Sequence, residues 1–282
     1  MGVKGRMTAP FIDLRATHNP NRWFLPLTEA VCVGPPGNQF MFGGVGLAAA
    51  VAALERTCER PVIWATAQYL SYARPGTVVD LDVWTPAAGR NTTQARVIGH
   101  VGDKEIFTVN AALGSRPSEI SHQWATMPSV PAPDECEPRI HWRGDETGLH
   151  GQLDTRLVKG QWGFGHTGGE ISPDGQMLMW IRPRHDLPID ASMLAIIADH
   201  VPSGIGAALG MSAGGNSLDN TLRICRIVPT QWVLCDILIN AIHGGFGHGR
   251  MHLFAEDGTL MATASQSVIV RMHGERDAKT AG

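Results

Sequence analysis

Apolar and polar positions follow the same succession in both halves of this chain. A strand predicted at residues 22–33 precedes a helix of small residues at 42–57, and a strand at 176–182 precedes an apolar helix at 189–200. Alternation and turn residues then predict strands at 61–73, 78–85, 94–101 and 105–113 in the first half, and at 217–227, 232–239, 249–255 and 260–272 in the second. The pattern predicts strand, helix and a run of antiparallel strands, twice.

The two halves also align without a gap at a constant offset of 154 residues. Pro75 falls on Pro229 and Asp103 falls on Asp257, so the turns before and between the predicted strands coincide. Apolar strand positions coincide as well, as where Val79 falls on Val233. A shared strand order with shared turn positions indicates an internal duplication.

Residues 116–160 differ in composition from both halves, because they carry several prolines among residues of mixed charge. We interpret them as a Pro-rich linker. The predicted organisation is an N-terminal unit at 1–115, the linker at 116–160 and a C-terminal unit at 161–282 that carries the catalytic residues.

The overall composition indicates the compartment in which the protein is expected and the classes of partner that it is not expected to bind. A net charge of −3 gives no basic surface for nucleic acid. No apolar run approaches the roughly 18 residues that span a bilayer, and residues 1–6 lack the apolar block of a signal peptide. Five scattered cysteines without a CxxC pair indicate free thiols in a reducing compartment. We expect a cytoplasmic protein with no nucleic-acid or membrane partner.

The second predicted helix contains one carboxylate at an unusual place. Asp190 suits the N-cap of this helix, since a short acidic side chain accepts free backbone N–H groups there. Asp199 lies near the end of the apolar run, where burial of a carboxylate is costly unless it is paired or used. Asp199 is therefore a candidate functional residue, although an aspartate at a helix end is more often solvated or a cap.

Three other motifs offer competing interpretations. Residues 44–49 fit a dinucleotide-binding GxGxxA pattern, but no acidic residue follows at the required place. Residues 210–214 fit the GxSxG nucleophile elbow around Ser212, with Asp236 and His243, His248 or His252 downstream. The elbow needs a strand before it and a helix after it, whereas residues 202–215 read as a Gly-rich loop followed by a strand. His248 and His252 lack an evident third metal ligand.

Several short motifs occur in an order and spacing typical of one family. In the first half they are Phe42-Gly43-Gly44, Arg74-Pro75-Gly76 and residues 102–107; in the second they are Ala198-Asp199, residues 217–220 and Ala264-Ser265-Gln266. In these motifs, over about residues 20–272, the chain resembles the acyl-CoA thioesterase II family. The resemblance implies an α+β double hotdog, two tandem units each of an antiparallel sheet wrapped around a long helix. One departure is residues 220–223, where the family shows a His and aromatic residues and this chain has Asn220-Thr221-Leu222-Arg223.

The resemblance also implies the activity and the residues that perform it. The family's catalytic Asp, Thr or Ser, and Gln fall on Asp199, Ser217 and Gln266, which would orient a water for hydrolysis of acyl-CoA to free fatty acid and coenzyme A. Asp219 is a secondary candidate. The resemblance implies no cofactor and no metal, and a homo-oligomer that covers the exposed sheet edges.

At the offset of 154 the first half has apolar residues where the trio stands. Ser217 falls on Ile63 and Gln266 falls on Ala112. Only the second half is therefore expected to supply the catalytic trio. Two other functions stay open at this point: a non-catalytic acyl-CoA-binding hotdog protein, and a serine esterase that uses Ser212.

Overall fold

The computed structural model describes residues 12–139, 146–162, 170–184 and 187–272. Its first half consists of strands β1 Arg15–Ala16, β2 Arg22–Pro26, β3 Cys32–Val33 and β4 Phe40–Met41, helix α1 Gly43–Cys58, and strands β5 Val62–Tyr69, β6 Val78–Ala88, β7 Thr92–Val101 and β8 Lys104–Gly114. The second half consists of β9 Glu137–Pro138, β10 Leu153–Lys159, β11 Gln176–Pro183, α2 Ala191–Ala198, α3 Gly204–Leu209, β12 Ala213–Ser217, β13 Asp219–Ile224, β14 Val233–His243, β15 Phe246–Ala255 and β16 Leu260–Met272.

One antiparallel sheet of 14 strands joins the two halves. Its order is β1-β2-β6-β7-β8-β5-β13-β16-β15-β14-β11-β10-β9, and β12 also pairs with β16. The halves meet where β5 pairs with β13, with Thr66 opposite Thr221 and their hydroxyl oxygens 3.1 Å apart. The sheets of the two units are therefore continuous with each other.

Helices α1 and α2 pack against each other and against the sheet. Helix α1 contacts β5, β6, β7 and β8, whereas α2 contacts β13, β15 and β16. Glycine permits the close approach of the two helices, because a Cβ on Gly44 would lie 3.0 Å from the carbonyl oxygen of Ala195 and 3.0 Å from the Cα of Ile196. The predicted α+β double hotdog is confirmed, and both helices lie on the same side of the joined sheet.

The internal duplication is visible in the strand registers. Leu81 lies opposite Gly99 in β6–β7, and Cys235 lies opposite Leu253 in β14–β15, so this hairpin repeats at the predicted offset of 154. The register shift after Gly99 on β7 recurs after Leu253 on β15, again 154 residues later. Conserved irregularities of this kind support a duplicated hairpin rather than a chance resemblance of strand order.

The offset slips by one residue in the last strand of the repeat. Gln266 lies opposite Gly249, and the equivalent position Ala95 lies opposite Ala111. The structural counterpart of Gln266 is therefore Ala111, not Ala112 as the gapless alignment predicted. The extra residue lies in the turn between the two strands: residues 256–258 separate the paired Ala255 and Thr259, whereas residues 102–103 separate Val101 and Lys104. A gapless alignment cannot show this difference, because it keeps every spacing equal. The counterpart is still an apolar residue.

Other predicted elements also differ from the structure. The strand predicted at 22–33 breaks after Pro26 and continues through a 3-10 turn, Glu29–Val31, to the short strand β3. The segment predicted as a linker includes β10, which pairs with β11. The Gly-rich stretch 202–215, predicted as a loop, is instead a 3-10 turn, helix α3 and the start of β12. Small residues permit this helix because it is buried against β11, β12 and β14.

One helical stretch is longer and more apolar than the sequence indicated. Ala191–Leu209 spans 19 residues and is apolar enough by composition to cross a membrane. The expectation that no apolar run approaches this length was wrong, because Ser192, Asp199, His200 and Ser203 are too few to offset the apolar residues around them. Within the fold this stretch comprises α2, a 3-10 turn and α3, and most of it is buried as a core helix.

Candidate active site

The three predicted residues meet at one point beside the end of α2. Ser217 Oγ donates a hydrogen bond to Asp199 Oδ1 at 3.3 Å, and the Gln266 amide donates to the same oxygen. Gln266 Nε2 also lies 3.0 Å from Ser217 Oγ. The structure thus brings Asp199, Ser217 and Gln266 together, while their catalytic role stays a prediction.

Each member of this trio is placed by its own element. Asp190 Oδ1 accepts the N–H of Met193 at 2.8 Å, so the predicted cap begins α2, and Asp199 follows its last residue. Ser217 ends β12 opposite Val268. Gln266 stands among the inward-facing positions of β16, and its Oε1 accepts the backbone N–H of Val201 at 3.2 Å. The chain just after α2 therefore fixes the amide that contacts Asp199.

The first half of the chain contributes the start of α1 to the site. The backbone N–H of Gly44 donates to Asp199 Oδ2 at 2.6 Å. A Cβ on Gly43 would lie 2.8 Å from the same oxygen. The N-terminus of a helix favours negative charge, since its N–H groups and its dipole both face the anion. Sequence reasoning noted these glycines only as part of a family motif; two glycines that open a helix were the signal for close approach.

Burial controls the protonation of Asp199. The residue is 4% exposed, and burial raises the pKa of its carboxyl to about 7. The hydrogen bonds from Gly44, Gln266 and Ser217 each oppose this rise in the pKa. A carboxyl with a pKa near neutrality can accept a proton at physiological pH and release it again. A pKa in this range is the one that a general base working near neutral pH requires.

Buried polar atoms without a hydrogen-bond partner occur on Tyr69, on its neighbour Asn220 and on His200, the residue after Asp199. Within the described ranges, these side-chain atoms are the Tyr69 hydroxyl, both amide atoms of Asn220 and His200 Nε2. A Cβ on Gly43 would lie 2.8 Å from Tyr69 Cζ, so the phenol ring packs beside the same glycine as Asp199. A buried polar group left unpaired costs about 1–3 kcal/mol, and folded proteins contain few of them. The Tyr69 hydroxyl is therefore a hydrogen-bonding group beside the Asp199 carboxyl that no described side chain or backbone group pairs.

The protonation of these neighbours can also be assigned. Burial and the Asp199 charge raise the pKa of Tyr69 well above its usual range, so its hydroxyl is a neutral donor. The nearby Asn220 amide opposes that rise, although the two side chains do not meet hydrogen-bond geometry. Burial, followed by the charge of Arg139, lowers the pKa of His200 to about 4, so its ring is neutral. Sequence reasoning did not single out Tyr69 or His200, since only the fold brings them to Asp199.

The secondary candidate, Asp219, forms hydrogen bonds that support the strand carrying Gln266. Its Oδ1 accepts the backbone N–H of Ser267 at 2.6 Å, and its carbonyl oxygen lies 3.5 Å from Gln266 Nε2. Asp219 therefore ties the start of β13 to the strand that carries Gln266. Its side chain is directed to backbone rather than to the Asp199 carboxyl.

The competing motifs do not have the geometry that their chemistry requires. Helix α3 precedes Gly210 and strand β12 follows Ser212, which reverses the strand–turn–helix order of a nucleophile elbow. His248 Nδ1 lies 3.2 Å from Ser267 Oγ. Across the part of the chain that the structure describes, no three His, Cys, Asp or Glu side chains are grouped for a metal.

Known proteins resemble the chain along most of its length. The family model for the acyl-CoA thioesterase N-terminal domain matches residues 34–114, and the model for the acyl-CoA thioesterase C-terminal domain matches residues 131–270. A candidate thioesterase from Novosphingobium aromaticivorans is 34% identical, with 93% of this chain and 98% of that chain covered and a TM-score of 0.82. A search of curated proteins found no match.

More distant structures share the fold. Acyl-CoA thioesterase II TesB2 from Mycobacterium marinum is 21% identical, with 94% and 98% of the two chains covered and a TM-score of 0.72. The TesB protein of Mycobacterium avium subsp. paratuberculosis is 20% identical, with 93% and 96% covered and a TM-score of 0.73. With both domain models matched in order, the chain belongs to the acyl-CoA thioesterase family, as a double-hotdog thioester hydrolase.

Proposed function

We propose that the protein hydrolyses acyl-CoA with a water activated by Asp199. The observation that supports this proposal most is the buried carboxyl with a pKa of about 7, held by Ser217, Gln266 and Gly44 at the meeting point of both halves. A base is most effective when its pKa lies near the working pH. Ser217 and Gln266 have the hydroxyl and amide groups to fix a water beside that base.

The reaction needs two proton movements. The water oxygen attacks the carbonyl carbon of the thioester while one of its protons passes to the Asp199 carboxylate. The tetrahedral intermediate then collapses, the carbon–sulfur bond breaks, and the proton on Asp199 passes to the departing thiolate. The products are the free acid and coenzyme A, and the Asp199 carboxylate is restored for the next cycle.

The charge that develops on the carbonyl oxygen needs hydrogen-bond donors. Gly44 N–H is already engaged by Asp199 Oδ2. The Tyr69 hydroxyl and the Asn220 amide are buried without a hydrogen-bond partner, Tyr69 packs beside Asp199 and Asn220 lies next to Tyr69, so we assign the carbonyl oxygen to them. Donors fixed before the reaction stabilise an oxyanion without reorganisation. The acyl chain length stays open, and a cytoplasmic homo-oligomer stays a prediction.

Substitution of the trio tests the proposed base. Asp199→Asn keeps the shape but removes the basicity, so turnover of acyl-CoA should fall by roughly 10²–10⁴-fold. Ser217→Ala and Gln266→Ala should each lower turnover. Either one combined with Asp199→Asn should add less than its separate loss, because the three act on one water. The measurement is release of free thiol from a panel of acyl-CoAs.

Two controls accompany these variants. Asp236 is a partly buried aspartate that accepts a hydrogen bond from Gln176 at 2.9 Å, so Asp236→Asn is a matched carboxylate change away from the site. Ser212→Ala tests the serine-esterase interpretation directly. Both controls should keep wild-type turnover. Near-wild-type turnover in folded Asp199→Asn, or loss of turnover in Ser212→Ala, would contradict the proposed mechanism.

The same carboxyl should influence stability in a pH-dependent way. Its pKa is raised on folding from the ordinary value of 3.8 to about 7, so the folded state binds the extra proton between these values. The contribution is fully present below about pH 4 and is lost as the pH rises through about 7. Asp199→Asn should therefore raise the melting temperature more at pH 8 than at pH 5. An equal or opposite change at the two pH values would show that the carboxyl is not buried in this way.

The oxyanion assignment is tested by Tyr69→Phe. Loss of the hydroxyl should lower kcat by about 10²–10³-fold, the usual effect of losing one oxyanion donor. Thermal stability should stay the same or rise, since an unpaired buried hydroxyl is removed. A purely structural hydroxyl would give the reverse, a lower melting temperature with kcat unchanged. Turnover and melting curves of the same preparation distinguish the two roles.

A further inference from the structure

A surface pocket of about 340 Å³ has no role in the chemistry described above. It is lined by Asn38, Phe40, Tyr72, Arg74 and Asn216. The pocket combines an arginine, two aromatic rings and two amide side chains, a composition that suits a ligand with both flat and anionic parts.

Three chain segments lead from the catalytic residues to this pocket. Phe40 lies three residues before the start of α1, where Gly43 and Gly44 contact Asp199, and Asn216 directly precedes Ser217. Tyr72 follows Tyr69 by three residues, a span of roughly 10 Å at most in extended chain. The pocket therefore lies beside the active site, because the segments that line it start at residues that line the active site.

Among the described residues, Arg74 in the pocket and Arg271, which contacts the lining residue Asn216, lack an acidic partner. Arg74 Nη1 donates to Asn38 Oδ1 at 2.9 Å and to the carbonyl oxygen of Gln39 at 3.3 Å. Arg271 Nε donates to Asn216 Oδ1 at 3.0 Å. Each guanidinium keeps further N–H groups, and among the described residues neither arginine forms an ion pair with a carboxylate. On a chain of net charge −3, this is a local concentration of positive charge.

Tyr72, on the aromatic side of the pocket, is exposed to solvent and is held in place by contacts with Phe40 and Asn216. Phe40 and Tyr72 pack edge to face with ring centroids 4.9 Å apart. Asn216 Nδ2 donates to the Tyr72 hydroxyl at 3.1 Å, and Tyr72 remains 54% exposed. An aromatic ring held in place with an open face can stack on a planar base.

We propose that this pocket binds the phosphorylated adenosine end of coenzyme A. Tyr72 stacks on the adenine, and Arg74 and Arg271 bind the phosphates through their free N–H groups, which match phosphate oxygens in geometry and charge. The pantetheine arm then runs from the pocket to Asp199. This inference rests on the proposed acyl-CoA hydrolysis and names the part of the substrate that gives binding energy away from the reacting atoms.

Two thioesters with the same acyl group separate this subsite from the chemistry. One is the acyl-CoA and the other is the acyl thioester of N-acetylcysteamine, which lacks the nucleotide. Arg74→Gln, Arg271→Gln and Tyr72→Ala should each raise KM for the acyl-CoA by about tenfold, since each removes a charged hydrogen bond or a stacked ring. Their kcat with acyl-CoA, and kcat/KM for the short thioester, should stay at the wild-type values.

A matched control is Arg96→Gln. Arg96 is an exposed arginine beside the Trp84 ring, at 5.9 Å, and lines a different pocket on β7. It should leave KM for acyl-CoA unchanged. Because Arg74 also holds the Asn38–Gln39 segment, Arg74→Lys is included to keep the charge, and Arg271→Gln gives an independent reading.

Calorimetry with adenosine 3′,5′-bisphosphate reports on the pocket without turnover. Binding by the wild type that is weakened in the Arg271→Gln and Tyr72→Ala variants supports the subsite. Unchanged KM for acyl-CoA in all three variants, or equal losses with both thioesters, would overturn it while leaving the hydrolysis intact. If the wild type hydrolyses neither thioester, the proposed function fails, and the calorimetry alone decides whether the pocket binds the nucleotide.

Discussion

The burial of one carboxylate at the crossing of two helices constrains the rest of this structure. Asp199 would be costly to bury alone, since an isolated ionised group loses its hydration. Its partners come from three separate elements: Gly44 at the start of α1, Ser217 at the end of β12 and Gln266 within β16. The site can therefore exist only when both halves are folded and joined through β5 and β13.

The duplication makes the two ends of the helix pair equivalent, but the polar arrangement around Asp199 occurs at one end. At the other end, Glu55 lies near Asp190, and its pKa is raised chiefly by burial. Its Oε1 accepts the backbone N–H of Val62 at 2.9 Å, so that carboxylate secures the start of β5. Ala111 occupies the place of Gln266 in the repeat and provides no amide. One half-site carries the polar trio, and its counterpart has apolar packing at the place of Gln266.

Much of the fold followed from local patterns in the sequence. The strands of both hairpins, the two helices and the Asp190 cap were predictable, because alternation, turn residues and capping act over a few positions. The trio was identified through its resemblance to a family and was brought together by the fold. Tyr69 and His200 were not predictable, since their importance depends on burial beside Asp199. The slip that makes Ala111 the counterpart of Gln266 comes from one additional residue in the turn between β15 and β16, which a gapless alignment cannot register.

The central claim is that Asp199 is a base with a pKa near 7, and the pH dependence of kcat/KM tests it most directly. Protonation of this carboxyl removes the base, so kcat/KM for acyl-CoA should rise about tenfold per pH unit below about pH 7 and level off above it. In Asp199→Asn the residual rate should lack this inflection. A wild-type profile that stays flat between pH 5 and pH 9, or an inflection that persists in Asp199→Asn, would contradict the account.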